Sequence, residues 1–343
     1  MKKHMLRWLL PVMFVLTGCY KELLPKEKDY FSNDAAFNGD EYMVNIGRTN
    51  VFIAKFNPNY STQPLDFIIQ QVVHRDGSPA PELLEQVDTW QWKKFYSGQE
   101  KTIAEIYDKR IRQKRPVLDI RPNSGDVIFW NTDSSRIKPG LYYFDILVKN
   151  NGGQKLFQRR KLYVKRPRPY EPYEFNDDTG ERKKDEDGGI LHPSLSGVKD
   201  DLNNNMNNTD VNVYFRKTGT ESNTLTIKFF DKDSLPVKLS RFNLIKWDSL
   251  AYTSKITDGP IRFGFNRRMA ADSSAVTYDI PNPFPVLADV GSTDERAFIS
   301  FPYERIAFGS RTKASLAFTF GIFEPGSWEM IFKFKVNPRF KND

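Results

Sequence analysis

Apolar residues along this chain recur mostly with period two, the spacing of half-buried strands. Leu316, Phe318, Phe320 and Ile322 share one face, and Trp328, Met330, Phe332, Phe334 and Val336 share one face of the next segment. Glu324-Pro325-Gly326-Ser327 lies between them as a turn, so the two runs predict a hairpin closing a C-terminal sandwich. Ile261, Phe263 and Phe265 alternate in the same way against Arg262, Gly264 and Asn266. Nearer the start, 51–56 and 65–73 are short apolar runs divided by the Asn/Pro/Ser-rich stretch 57–64. Lys138-Pro139-Gly140-Leu141 reads as a type II turn. It leads into a strand with Tyr142, Phe144, Ile146 and Val148 on one face. Asn150-Asn151-Gly152-Gly153 then turns the chain into a closing strand over 155–165. That succession resembles the end of an immunoglobulin-like sandwich.

Helical spacing is rare. Thr102-x-x-Glu105 is a capping box, Ile103, Ile106, Tyr107 and Ile111 fall on one helical face, and Pro116 stops the run. Ser32-Asn33-Asp34 reads as a cap before a short segment over 35–43. Residues 166–172, Arg-Pro-Arg-Pro-Tyr-Glu-Pro, cannot sustain a ladder because the prolines lack N–H groups. Residues 177–189 and 203–208 are charged or amide-rich and read as loop. The expected fold is therefore all-β: two immunoglobulin-like or related β-sandwich domains in tandem, with one short helix inserted in the first. The expected layout is a leader over 1–18, a tether over 19–49, a first sandwich over 50–168, a linker over 169–209 and a second sandwich over 210–343.

The leader changes the picture most. Residues 1–7 are basic, 8–16 are an apolar run, and Leu16-Thr17-Gly18-Cys19 follows. Nine apolar residues are too few to span about 30 Å of hydrocarbon, but they suit a signal peptide. Leu-Thr-Gly-Cys is similar to a bacterial lipobox, which places cleavage between Gly18 and Cys19 and lipid on Cys19. Cys19 is the chain's single cysteine, so no intramolecular disulfide can form. Removing Lys2, Lys3 and Arg7 lowers the net charge from +8 to +5, which demands no polyanionic partner. The expected location is the outer membrane, lipid-anchored, with the surface-exposed face favoured over the periplasmic one.

No catalytic signature is present. His74-Arg75-Asp76 lacks the rest of a kinase loop, and Asp76-Gly77 reads as a turn. Serine-hydrolase, zinc-protease and P-loop motifs are all missing. Beyond the leader, His74 and His192 are the only imidazoles. No cofactor, metal or catalytic residue is expected, although acidic pairs such as Asp185/Asp187 and Asp200/Asp201 leave calcium in the loop 177–210 open. The basic run from Lys155 to Arg168 reads as a charged strand edge, not a nucleic-acid site. Aromatics are the better functional currency, because sugar rings stack their C–H faces on flat rings. Trp90 and Trp92 share one strand face opposite Thr89, Gln91 and Lys93 and read as a core pair. Trp328 reads as core. Trp130, Trp247, Tyr170 and Tyr173 are the candidate ligand-binding residues.

Several stretches together resemble a family of Bacteroidota outer-membrane lipoproteins known as a domain of unknown function, family 5007. They are Leu16 to Cys19, Asn45-Ile46-Gly47-Arg48, Tyr96-Ser97-Gly98-Gln99-Glu100-Lys101 with Ile106 to Arg110, Tyr142 to Gly153, Arg166 to Pro172, Phe323-Glu324-Pro325-Gly326-Ser327-Trp328 and Asn337-Pro338-Arg339-Phe340. The resemblance implies an envelope location. It also implies company: an outer-membrane transporter and a glycan-capturing lipoprotein of starch-utilisation type. The expected role is a non-catalytic accessory binder of polysaccharide in nutrient capture, held to the membrane by its N-terminal lipid. The alternatives are a structural or adhesive lipoprotein binding other envelope proteins and, behind both, a glycoside hydrolase with paired carboxylates.

Overall fold

A computed structural model describes residues 28–94, 97, 99–132, 135–248, 250–253, 260–285 and 296–343. The leader, Gly18, Cys19 and the side chains of Ile261 and Phe263 lie outside the described residues. The described chain is built almost wholly of strands, as its period-two patterning dictates. No described helix is long and apolar enough to cross a membrane.

The first unit contains β1 (Ala36–Phe37), β2 (Glu41–Asn45), β3 (Asn50–Phe52), β4 (Phe56–Asn57), β5 (Asp66–His74), β6 (Gln86–Trp92), α1 (Ile103–Tyr107), β7 (Arg110–Pro116), β8 (Leu118–Ile120), β9 (Val127–Phe129), β10 (Gly140–Asn150) and β11 (Gly153–Lys165). One sheet runs β2-β11-β10-β5 and another β3-β9-β8. Tyr42, Phe67, Phe144 and Leu162 from the first sheet join Val51, Leu118 and Phe129 from the second in one core. Tyr142, Phe144, Ile146 and Val148 are all buried, as the alternation requires. Gly140 is not left-handed; it opens β10 opposite Val164, so the Pro139-Gly140 type II turn does not form. Strand β5 bulges opposite Phe144, at Gln71 with φ of 42°, and β11 bulges opposite Asp145, at Arg159 with φ of 53°. The Asp145 carboxylate accepts the Arg159 N–H at 2.7 Å.

The second unit contains β12 (Tyr170–Glu171), β13 (Ser194–Ser196), β14 (Val211–Gly219), β15 (Thr224–Phe230), β16 (Leu250–Thr253), β17 (Pro260–Met269), β18 (Ala275–Asp279), β19 (Ala297–Ala307), β20 (Ser310–Ile322) and β21 (Ser327–Phe334). Six strands form one sheet in the order β14-β21-β15-β18-β17-β16. Strand β20 carries β19 on one edge and β12 and β13 on the other. The hairpin expected at the C-terminus is instead an arch. Strand β21 pairs with β14 and β15, and β20 pairs with none of the six. A hairpin would lay both aromatic stripes on one side of a single sheet. The arch brings them together in one core, with the Phe318 and Phe332 rings 6.1 Å apart and edge-on.

Three other expectations need correction. Residues 169–209 are no free linker: Tyr170, Leu191, Val198 and Met206 belong to the second core, and Tyr170 pairs with Ile322. The tether over 19–49 ends early, since Phe31, Ala35, Phe37, Tyr42, Val44 and Ile46 are buried in the first core, and 35–43 holds strands instead of a helix. The longer helix shrinks to α1, capped as read: the Thr102 hydroxyl accepts the Glu105 N–H at 3.2 Å. Beyond it, β7 pairs with β6 from Trp92↔Arg110 to Gln86↔Pro116. Ile106 is fully buried in the second core, not the first, so the β6-α1-β7 arm bridges both units.

Gly125, at φ of 69°, shows how tightly the first core closes. A Cβ there would lie 2.6 Å from Phe67 Cε1 and 3.0 Å from Phe56 Cβ. Gly125→Ala is expected to cost about 1–2 kcal/mol for the left-handed backbone and about 1–3 kcal/mol more for displacing the ring. Urea unfolding of the variant measures it.

Candidate functional site

Where the arm meets both units, the surface folds into a cleft of about 330 Å³. The first unit contributes Arg48, Trp90, Trp92, Arg110, Arg115 and Trp130, and the second contributes Asn282, Pro283 and Phe323. The volume falls at the small end of ordinary ligand sites, and domain junctions are where such sites gather.

The parity of β6 sets the cleft wall. Val87 and Thr89 are its buried positions, and the Thr89 hydroxyl donates to the Gln113 carbonyl at 3.1 Å. That bond lets a threonine sit inside, and it turns Asp88, Trp90 and Trp92 the other way. The reading of Trp90 and Trp92 as a core pair is thereby overturned. Trp90 is 48% exposed, and Trp92 packs against the rim of the second core. The Trp90 and Tyr107 rings lie 6.4 Å apart and 14° from parallel.

Arg110, the first residue of β7, is only 7% exposed. Its guanidinium lies 4.5 Å from the Tyr107 ring, 5.2 Å from Trp92 and 5.6 Å from Trp90. Nη1 donates to the Asn282 carbonyl at 3.3 Å, while the buried Nε has no partner. Among the described residues no carboxylate lies within ion-pair reach of it. Burial pulls its pKa below the usual arginine value, and Tyr107 opposes that only in part. Cation–π contacts of this kind return about 0.5–2 kcal/mol each, so the three offset much of the several kcal/mol that desolvating an ion costs but leave the Nε hydrogen-bonding capacity unused.

Beside the cleft, stretches far apart in sequence converge. Arg48 donates to Glu171 at 2.6 Å and to the Asn45 side chain at 3.1 Å, and its guanidinium covers the Phe323 ring at 4.7 Å. Glu171 also meets Arg168 at 3.2 Å and Arg296 at 2.8 Å. Burial alone would raise the Glu171 carboxyl, but Arg48, Arg296 and Arg168 outweigh it and hold it below the usual glutamate range. Arg168 is shared with the buried Asp177. The motifs at 45–48, 166–172 and 323–328 are thus one rivet between the units. Within the arm, Glu100 is buried and takes Lys109 and the Ser97 hydroxyl on one oxygen. Tyr96 and Gly98 of that motif lie outside the described residues.

Of the four aromatic candidates, only Trp130 lines the cleft. It is 4% exposed, and its indole N–H donates to Asp119 at 3.0 Å. Tyr170 is buried in the second core, stacked on Phe215 at 4.6 Å with its hydroxyl on Glu174, and burial raises its pKa strongly. Tyr173 lies edge-on to Tyr170 at 5.3 Å. Trp247 sits 5.9 Å from Phe301, and its carbonyl accepts the Tyr278 hydroxyl. Among the acids of 177–210, Asp177 is taken by Arg168, and Asp200 accepts the Leu202 and Asn204 N–H groups. Among the described residues no three His, Cys, Asp or Glu gather as a metal cluster. The residues missed in the sequence are Arg48 and Arg110. The signal for Arg110 was available: it follows helix α1 and pairs across β6 with Trp92.

Fold and cleft together define a two-unit, all-β protein with a tryptophan- and arginine-lined groove at the domain junction. The chain belongs to the family described as a domain of unknown function (DUF5007), whose model matches residues 56–343 and so spans both units. No curated protein matches it. Among solved structures, the chain is similar to the two tandem V-type regions of VCBP3, a v-region-containing chitin binding protein. The identity is 7%, over 87% of this chain and 98% of that one, with a TM-score of 0.21. That likeness is too slight to bear on architecture or ligand.

Proposed function

We propose that this protein is a non-catalytic lipoprotein of the bacterial outer membrane, anchored through Cys19 with its body at the cell surface, that holds saccharide in the junction cleft as an accessory of a glycan-uptake system. The carrying observation is the half-exposed Trp90 ring on a strand whose inward positions are filled by Val87 and Thr89. A large ring turned away from the core, lining the same cleft as Trp92 and buried Trp130, offers a sugar its apolar platform. The leader and the family resemblance support the location and the transporter partnership. Trp90→Ala is expected to weaken binding to the best ligand of a polysaccharide panel at least about tenfold, near 1.4 kcal/mol, with the fold retained by circular dichroism. Affinity electrophoresis and calorimetry test this, and binding that survives the substitution overturns the cleft reading. A second reading, an adhesive lipoprotein with protein partners, draws on Phe298, Ile306 and Phe308, exposed along and just beyond the edge strand β19. A pull-down of envelope proteins with no saccharide binding selects it.

A further inference from the structure

We infer that the saccharide taken by the cleft is acidic, a sugar carrying a carboxylate or sulfate group, and that Arg110 receives the oxyanion. The inference rests on the cleft reading above and narrows it to a chemical class. Arg110 is a buried cation on the wall of a cavity, with an unpartnered Nε and, among the described residues, no carboxylate to answer it. Ring faces cover it from Tyr107, Trp92 and Trp90, and an oxyanion bonds a guanidinium at its edge, leaving those faces in place.

The other charges of the cleft favour the same sign. Among the described residues Arg115 has only the Gln113 amide oxygen, at 3.5 Å, and Arg121 lies 3.5 Å from Asp126. Arg48 is committed to Glu171. Of the two lining carboxylates, Asp119 is held by the Trp130 indole and its own strand. Asp88 stands across the ladder from Lys114. A neutral sugar would use the Trp90 ring and leave the Arg110 Nε without an anionic partner. A uronate or sulfated sugar uses both at once.

The test is calorimetry on the purified protein with three probes: oligogalacturonate, a sulfated heparin-type oligosaccharide and a neutral xylo-oligosaccharide. At least one acidic probe is expected to bind about tenfold or more tighter than the neutral one, losing affinity as salt rises. Which one it is separates carboxylate from sulfate. Arg110→Gln is expected to abolish that preference. Because the buried site could resent this change, the double substitution Arg115→Gln/Arg121→Gln at the more exposed rim serves as a second variant, expected to lower acidic affinity several-fold. Equal binding of neutral and acidic probes, or an acidic preference that survives Arg110→Gln, overturns this inference and leaves the cleft reading standing. Binding of none of the three probes, with none in a wider polysaccharide panel, overturns both.

Discussion

Exchanging Glu171 for Gln is expected to lower folding stability by about 3 kcal/mol, measured by urea unfolding at neutral pH. Removing one partner of a buried ion pair costs about 3–5 kcal/mol, because the charge left behind stays desolvated and unanswered. The lower figure applies here. Arg168 keeps Asp177, and Arg296 is 42% exposed on its side chain and regains water readily. Arg48 bears the loss: it lies over the Phe323 ring and, among the described residues, would keep only neutral amide oxygens, that of Asn45 and that of the substituted side chain. The pH dependence follows from the direction of the shift. The Glu171 carboxyl is depressed in the folded chain by Arg48, Arg296 and Arg168 against its own burial. Its contribution is therefore complete above the ordinary glutamate pKa of about 4.3 and is lost as pH falls through the lower folded value. The stability gap between the parent chain and Glu171→Gln should narrow on acidification. A gap that stays constant down to the acid transition would show that the carboxylate is not what the arginines need.

That rivet shows where the sequence was legible and where it was not. Its pieces were visible as motifs at 45–48, 166–172 and 323–328, but pairing between positions 123 residues apart leaves no periodic trace. Strands were read well wherever one face was uniformly apolar, as in β10, β20 and β21. What alternation cannot say is which neighbour a strand takes. The segments on either side of Gly326 share a period and a turn, and only three-dimensional packing decides between hairpin and arch. Period two is also silent on which set of side chains faces in, so Trp90 and Trp92 were placed on the wrong side of Thr89. Strand β19 went unread because Pro302 interrupts it, and its place on an edge is what allows a proline there. The cleft was illegible for the same reason as the rivet: its two walls come from β6 and β7 on one side and the Asn282–Pro283 and Phe323 segments on the other.

The arm itself supplies the second large effect. Ile106→Ala is expected to cost about 2–5 kcal/mol, the range for truncating a fully buried aliphatic side chain. The loss should fall on the arm first. A helix of five residues has no stability of its own, so α1 persists only because Ile106, with Ile103 and Tyr107 beside it, is docked in the second core. The polar ties across the junction are few: the Asn282 N–H donates to the Tyr107 hydroxyl at 3.1 Å and Arg110 to the Asn282 carbonyl at 3.3 Å. With the isoleucine anchor cut back, these bonds and the partly buried Trp92, Ile103 and Tyr107 are left to hold the arm against the second unit. Hydrogen exchange should then show faster opening of β6 and β7, with β10 and β20 slow as before. Trp90, Trp92 and Arg110 all ride on the arm, so ligand affinity should fall with its protection. If Ile106→Ala lost stability uniformly and kept full affinity, the arm would be a passive part of the fold and not the moving wall of a binding site.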